Sequence, residues 1–148
     1  MRSTIACRAV AVIIQNNHIL FAKNNHHTSA YYLVGGGIEQ HESSRDAVVR
    51  EIYEETGLSL EVDRLILVQE RFHTSLVNGE KCHEIAFYYL IKSSSIPIED
   101  GTVTDQGDNE TLHWLPIDKL SDYDIVPPFL KTFDFGNIDK IRHITVWE

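Results

Sequence analysis

Between Gly35 and Leu58 the chain reads GGGIEQHESSRDAVVREIYEETGL, three consecutive glycines followed by a helix signal loaded with carboxylates. No other stretch narrows the possible folds as far. Without a Cβ, Gly35, Gly36 and Gly37 allow close approach to the main chain and predict a tight functional turn. Ser43 and Ser44 are both suited to capping the first turn of a helix, and Asp46 places negative charge where the helix dipole favours it. Gly57, just after Thr56, supplies the left-handed residue that closes a helix.

At 100° per residue Glu51, Glu54 and Glu55 share one helical face, with the small Ala47 one turn earlier, while Val48, Val49 and Ile52 form a second, apolar face suited to a sheet. A charged helical stripe is ordinarily a solvated surface. Glu51 and Glu55, however, are like charges one turn apart, which destabilises a bare helix unless a cation neutralises them. Oxygen-only anionic ligands select Mg²⁺, Mn²⁺ or Ca²⁺.

Gly36, Glu42, Arg50, Glu51, Ile52, Glu54, Glu55, Gly57 and Leu58 occupy every specified position of one known pattern: Gly, five residues, Glu, seven residues, Arg-Glu, an aliphatic, any residue, Glu-Glu, any residue, Gly and an aliphatic. This is the Nudix box, and the chain resembles the Nudix hydrolase family. The resemblance implies Glu51, Glu54 and Glu55 as the main metal ligands, a backbone carbonyl from Gly35 or Gly36 as another, and Glu42 binding a further metal through water. It implies Mg²⁺ as cofactor, with Mn²⁺ as a substitute, and Arg50 pairing with a box carboxylate to orient it. The general base is Glu51 in some members and a late-loop carboxylate in others. Glu110 is the favoured candidate here, ahead of Asp105, Asp108 and Glu84. Arg71 and His83 are candidates to meet substrate phosphate, and Glu84 is grouped with them as a substrate contact. Three positions depart from the common family pattern. Tyr31 and Val34 stand where Trp and Pro are usual, and His41 replaces a glycine.

Around this stretch the composition is that of a soluble domain, with 148 residues, 43% hydrophobic and 24% charged. The net charge of −9 argues against broad binding to nucleic acid polymers or anionic membranes, both of which need a basic patch. Cys7 and Cys82 are too few and too far apart for a disulfide framework. No N-terminal apolar run resembles a signal peptide or membrane span, so a cytoplasmic location is expected.

In chain order, Thr4–Ile14 reads as a buried strand turned at Gln15-Asn16-Asn17, and His18–Lys23 as its return. Asn24–Ser29 is a polar loop holding His26 and His27, and Ala30–Val34 is a short strand leading to the glycines. Leu60–His73 predicts a long, bent strand, paired through the Asn78-Gly79 turn with Cys82–Lys92. Glu99–Asn109 is an acidic loop, and Thr111–Leu115 a strand followed by a helical turn through Leu120. Pro127–Phe133 predicts a second helix, and His143–Trp147 either an edge strand or a subunit contact. The order implies an α/β protein, an α/β/α sandwich around a mixed β-sheet, with residues 1–148 as one Nudix domain.

The activity the resemblance implies is metal-dependent hydrolysis of a diphosphate bond in a nucleoside diphosphate linked to another group X. Two alternatives stay open: a nucleoside triphosphate pyrophosphohydrolase, including one that removes oxidised nucleotides, and a non-catalytic Nudix module that senses nucleotides. The expected partner is a small nucleotide, and a homodimer is in keeping with similar proteins.

Overall fold

The computed structural model describes residues 4–25, 29–75, 77–93, 95–104 and 109–148. Ten strands, one α-helix and two 3₁₀ turns are assigned: β1 Ala6–Val12, β2 Ile14–Gln15, β3 His18–Asn24, β4 Tyr31–Leu33, β5 Gly35–Gly37, α1 Ser44–Thr56, β6 Val62–Thr74, β7 Lys81–Ile91, β8 Thr102–Val103, β9 Glu110–Pro116 and β10 Arg142–Trp147, with the 3₁₀ turns at Ile117–Asp122 and Pro128–Lys131. The larger sheet has the order β10-β6-β7-β1-β5, and the smaller one β2-β3-β9-β8 with β4 beside β3. The larger sheet is mixed as expected, because β1 runs parallel to β7 and β10 parallel to β6 while the other neighbours are antiparallel.

Helix α1 forms as the local signals require. Ser43 is the cap, its side chain accepting from the Asp46 amide at 3.0 Å, and Gly57 ends the helix at φ 76° with its amide donating to Tyr53 O at 2.8 Å. Ala47, Val48 and Ile52 are fully buried and join Ala9, Ala11, Tyr89 and Ile91 in one core between the helix and the larger sheet. A second core on the other side of that sheet holds Val10, Val12, Phe21, Ile66 and Tyr88, closed by Leu120 and Leu130 of the two 3₁₀ turns. The second layer is thus the smaller sheet plus these turns, where longer helices were expected.

Three local expectations are refined. The first strand does not end in a simple hairpin: β1 belongs to the larger sheet, and after Ile13 the chain continues as β2 in the smaller one. There Asn16 and Asn17, at φ 51° and 60°, turn it into β3. The three glycines form β5, an antiparallel partner of β1, instead of a turn. A Cβ on Gly35 would lie 2.3 Å from Ala9 O, so close backbone approach requires glycine there. The bend expected in β6 is seen as register shifts between Val62 and Arg64 and between Leu65 and Leu67. His143–Trp147 lies within β10, the edge strand beside β6. Both cysteines are free. Among the described residues no helix is long and apolar enough to cross a membrane.

Candidate functional site

Arg50 on α1 is the hub of the acidic face. Its Nε and Nη2 donate to the two oxygens of Glu42 at 2.8 and 2.9 Å, its Nη1 donates to Glu51 Oε1 at 2.9 Å and Glu54 Oε2 at 3.2 Å, and Nη2 also donates to Gly37 O at 3.0 Å. The sequence predicted one carboxylate partner for this arginine and the structure gives it three. The planar fork suits that task where a lysine ammonium would not. Its hydrogen bonds, aided by the Glu39 amide, hold the Glu42 carboxyl down at about 2, and the three carboxylates in turn raise the guanidinium further above its already high range. His41, which replaces the usual glycine just before Glu42, takes φ 63°, so the left-handed backbone is kept at some strain.

Arg50 sets one positive charge among three negative ones, on Glu42, Glu51 and Glu54, so a net negative charge remains on this face. Outside those bonds stands Glu55. It is buried at 8% exposure, and its Oε2 has no hydrogen-bond partner among the described residues. Burial pushes its carboxyl up to about 8, helped by the charges of Glu110 and Glu51, while the Gly35 amide and Arg8 pull the other way. Glu110, the first residue of β9, shows the same condition: its Oε1 is buried and unpartnered among the described residues. Buried Glu55 and half-buried Glu110, each with one enclosed idle oxygen, supply donors of the kind a hard divalent cation takes.

Gly36 contributes space. A Cβ there would stand 2.4 to 2.7 Å from the carboxylate atoms of Glu51, so that carboxylate packs against the bare Cα. Among the described residues no three His, Cys, Asp or Glu side chains converge closely enough to hold a metal ion, so Glu51, Glu54 and Glu55 share a helix face without forming a ready-made site. The acids form an open arc around Arg50 and Glu55, the arrangement that leaves room for water and phosphate oxygens.

Beside the arc lies a cavity of about 380 Å³ lined by Arg8, Tyr32, Arg71, Glu84, Tyr88 and a rim of Val126, Pro127 and Leu130. Arg71 and Glu84, both singled out from sequence, meet here. Arg71 is largely committed elsewhere, with Nε and Nη2 donating to the two carboxylate oxygens of Glu148 at 2.6 and 3.0 Å. Glu84 lies between two guanidiniums, 3.8 Å from Arg8 and 3.9 Å from Arg71. His83 is not brought to this site. Adjacent strand residues face opposite sides, and His83 stacks on Phe72 at 4.3 Å in a row continued by Trp147 at 3.9 Å, lining a separate cavity. Asp105, Asp108, His26 and His27 lie outside the described residues.

Two residues not singled out as site candidates stand at the junction of arc and cavity. Arg8 on β1 lines the cavity and acts electrostatically on Glu55. Tyr32 on β4 lines it too, and its hydroxyl donates to Glu110 Oε2 at 2.5 Å. Burial and the Glu110 carboxylate both raise the Tyr32 phenol well above its usual range. Tyr31, the residue in the usual Trp position, instead packs edge-on against His113 and Tyr123, at 5.5 and 5.7 Å.

The family described as NUDIX domain matches residues 6–134. A MutT NUDIX hydrolase from Burkholderia pseudomallei is similar at 29% identity, over 78% of this chain and 86% of that one, with a TM-score of 0.59. Two more distant structures show likeness of fold. A mutator MutT protein from Bacillus halodurans is 17% identical over 96% of this chain and 89% of that one, at TM-score 0.70. A UDP-X diphosphatase is 18% identical over 99% and 68%, at TM-score 0.61. No curated protein matches the sequence.

Proposed function

Because the chain belongs to the Nudix family and is a pyrophosphohydrolase, we propose that it hydrolyses the diphosphate bridge of a nucleoside diphosphate linked to a second group X. The observation that carries this reading is the pair of enclosed, idle carboxylate oxygens on Glu55 and Glu110, joined through Tyr32 and Arg8 to a cavity that also bears Arg71. The similarity of fold to a UDP-X diphosphatase is in keeping with it.

Glu51, Glu54 and Glu55, with a carbonyl of Gly35 or Gly36 and with Glu42 through water, would hold Mg²⁺ or its substitute Mn²⁺. When bound, the cation supplies charge neutralisation at the diphosphate and a water of lowered pKa. Arg50 keeps Glu42, Glu51 and Glu54 in one arc so that they need not be ordered when substrate arrives. Glu110, with Glu51 as the alternative, accepts a proton from the attacking water as that water bonds to one phosphorus. The bond from that phosphorus to the bridging oxygen breaks, and the other phosphate leaves with the bridging oxygen. Arg8 faces the phosphates from the cavity side and offsets part of the repulsion they meet in a chain of net charge −9. The nucleoside or X group occupies the cavity, with Glu84 accepting from its donors. The same charge balance favours a small nucleotide over a polymer. One Nudix domain over residues 1–148, working in the cytoplasm as a monomer or homodimer, suffices for this chemistry.

A panel of nucleotide sugars, ADP-ribose, dinucleoside polyphosphates and canonical or oxidised triphosphates tests the proposal, read by phosphate analysis with Mg²⁺ and with chelator. Cleavage of a bridged diphosphate into two phosphorylated products, abolished by chelator, is the expected result. Release of inorganic pyrophosphate from a triphosphate would assign the triphosphate reaction instead. Binding without turnover of any member would refute catalysis.

A further inference from the structure

We propose that Tyr32 is a positioning residue for Glu110: its hydroxyl occupies one carboxylate oxygen so that the other is turned toward Glu55 and the substrate's diphosphate. The inference rests on the reading of Glu110 and Glu55 given above, and adds to it the element that aims the carboxylate.

Tyr32 Oη donates to Glu110 Oε2 at 2.5 Å, a short contact of the kind made by a hydroxyl and a charged acceptor. Among the described residues the bond to Tyr32 is the side-chain hydrogen bond that sets the direction of Glu110. With Oε2 occupied, Oε1 is left buried and, among the described residues, without a hydrogen-bond partner. An unguided carboxylate with two equivalent oxygens rotates broadly about its last bond. One fixed by a phenol presents a single oxygen.

The sheet is built to allow this contact across two strand spacings. Tyr32 pairs in register with Ala22 on the central strand β3, and β3 pairs Ala22 with Leu112 and Asn24 with Glu110. The contact is therefore diagonal across β3, and the residue directly beside Tyr32 on that strand is the fully buried Ala22. Its small methyl group leaves room beside the Tyr32 ring on that face. Next to Tyr32, Tyr31 is anchored edge-on to His113 and Tyr123, and its amide donates to Asp124 O at 2.7 Å. The short strand is therefore tied down from its other side. Because the Tyr32 ring also lines the cavity, one side chain touches both the space for the nucleoside or X group and the carboxylate that faces the reacting water.

The test is a cycle of Tyr32→Phe, Glu110→Gln and the double variant, each checked for an unchanged melting temperature. The readouts are kcat and KM on the best substrate of the panel and the free-Mn²⁺ signal by electron paramagnetic resonance. Phe keeps the cavity wall, so KM should stay within about twofold. Loss of a hydrogen bond to a charged group should lower kcat about tenfold or more and weaken Mn²⁺ binding several-fold. In the Glu110→Gln background the same change should add little, since its target is gone. Wild-type kcat and Mn²⁺ affinity in Tyr32→Phe, with Glu110→Gln impaired, would overturn the role of Tyr32 and leave the site reading intact. An equal loss from Tyr32→Phe in both backgrounds would also overturn it. Full activity of Glu110→Gln together with wild-type Mn²⁺ binding would instead remove the premise.

Discussion

Glu55→Gln should stabilise the chelator-treated protein at high pH while abolishing turnover. The Glu55 carboxyl ionises near 4.5 in an open chain and at about 8 in the folded protein, where burial and the neighbouring Glu110 and Glu51 disfavour its charge. Below pH 4.5 it is protonated in both states and costs nothing. Between pH 4.5 and about 8 the unfolded chain ionises and the folded one does not, so the native state binds more protons and loses ground as pH rises. Each pH unit of that window is worth about 1.4 kcal/mol, giving an upper limit of about 5 kcal/mol, and water entry at the open arc reduces the expectation to roughly 2–5 kcal/mol. For a domain of this length that is a shift of roughly 6–15 °C in melting temperature. Glu42, held low by Arg50, acts only below pH 4.5 and does not enter this window. Urea denaturation of both proteins in chelator at pH 5 and pH 9 measures the effect. Wild type should lose stability between the two pH values relative to Glu55→Gln, and Mg²⁺ at pH 9 should restore wild type alone. Parallel pH dependence in the two proteins would refute the claim that Glu55 is a buried acid waiting for a cation.

Two other substitutions probe the arc. Gly36→Ala places a methyl group where the Glu51 carboxylate now lies, so kcat should fall roughly 10- to 100-fold with little change in urea midpoint; unchanged kcat would show that Glu51 can move without consequence. Arg50→Lys replaces a planar fork holding three acids with a point charge, and should lower kcat about tenfold or more at saturating Mg²⁺. Activity equal to wild type would mean that the fork has no part in holding the arc.

The helix and its acids were legible because their causes are local. Caps, spacing and the apolar face lie within the stretch Gly35 to Leu58, and the structure places them as the residues predict. Arg50 was readable as an orienting group, but its three partners depend on the path of residues 37–42, where β5 and the His41 backbone bring Glu42 back to the helix. Tyr32 and Arg8 were hidden for a different reason. Tyr32 meets Glu110 only through a register running across three strands, 78 residues apart along the chain, and no local pattern encodes it. His83 and Glu84 show the reverse case. Strand alternation forbids both from facing one cavity, but which of them faces inward follows from the position of β7 between β6 and β1. The helical turn expected through Leu120 is present, while the helix expected over Pro127–Phe133 is only a 3₁₀ turn, a short proline-flanked sequence with a single buried leucine.

A single run of backbone from Ala6 to Gln15 serves first one sheet and then the other, with Ile13 wholly buried at the crossing. The two sheets are thereby sutured along one seam. Val126, Pro127 and Leu130, more distant along the chain, supply part of the wall of the cavity that Arg8 and Val10 of that same run also line. Under the function proposed above, the wall that would meet the guest and the acids that would act on it come from separate stretches of the chain, so a substitution in one need not disturb the other.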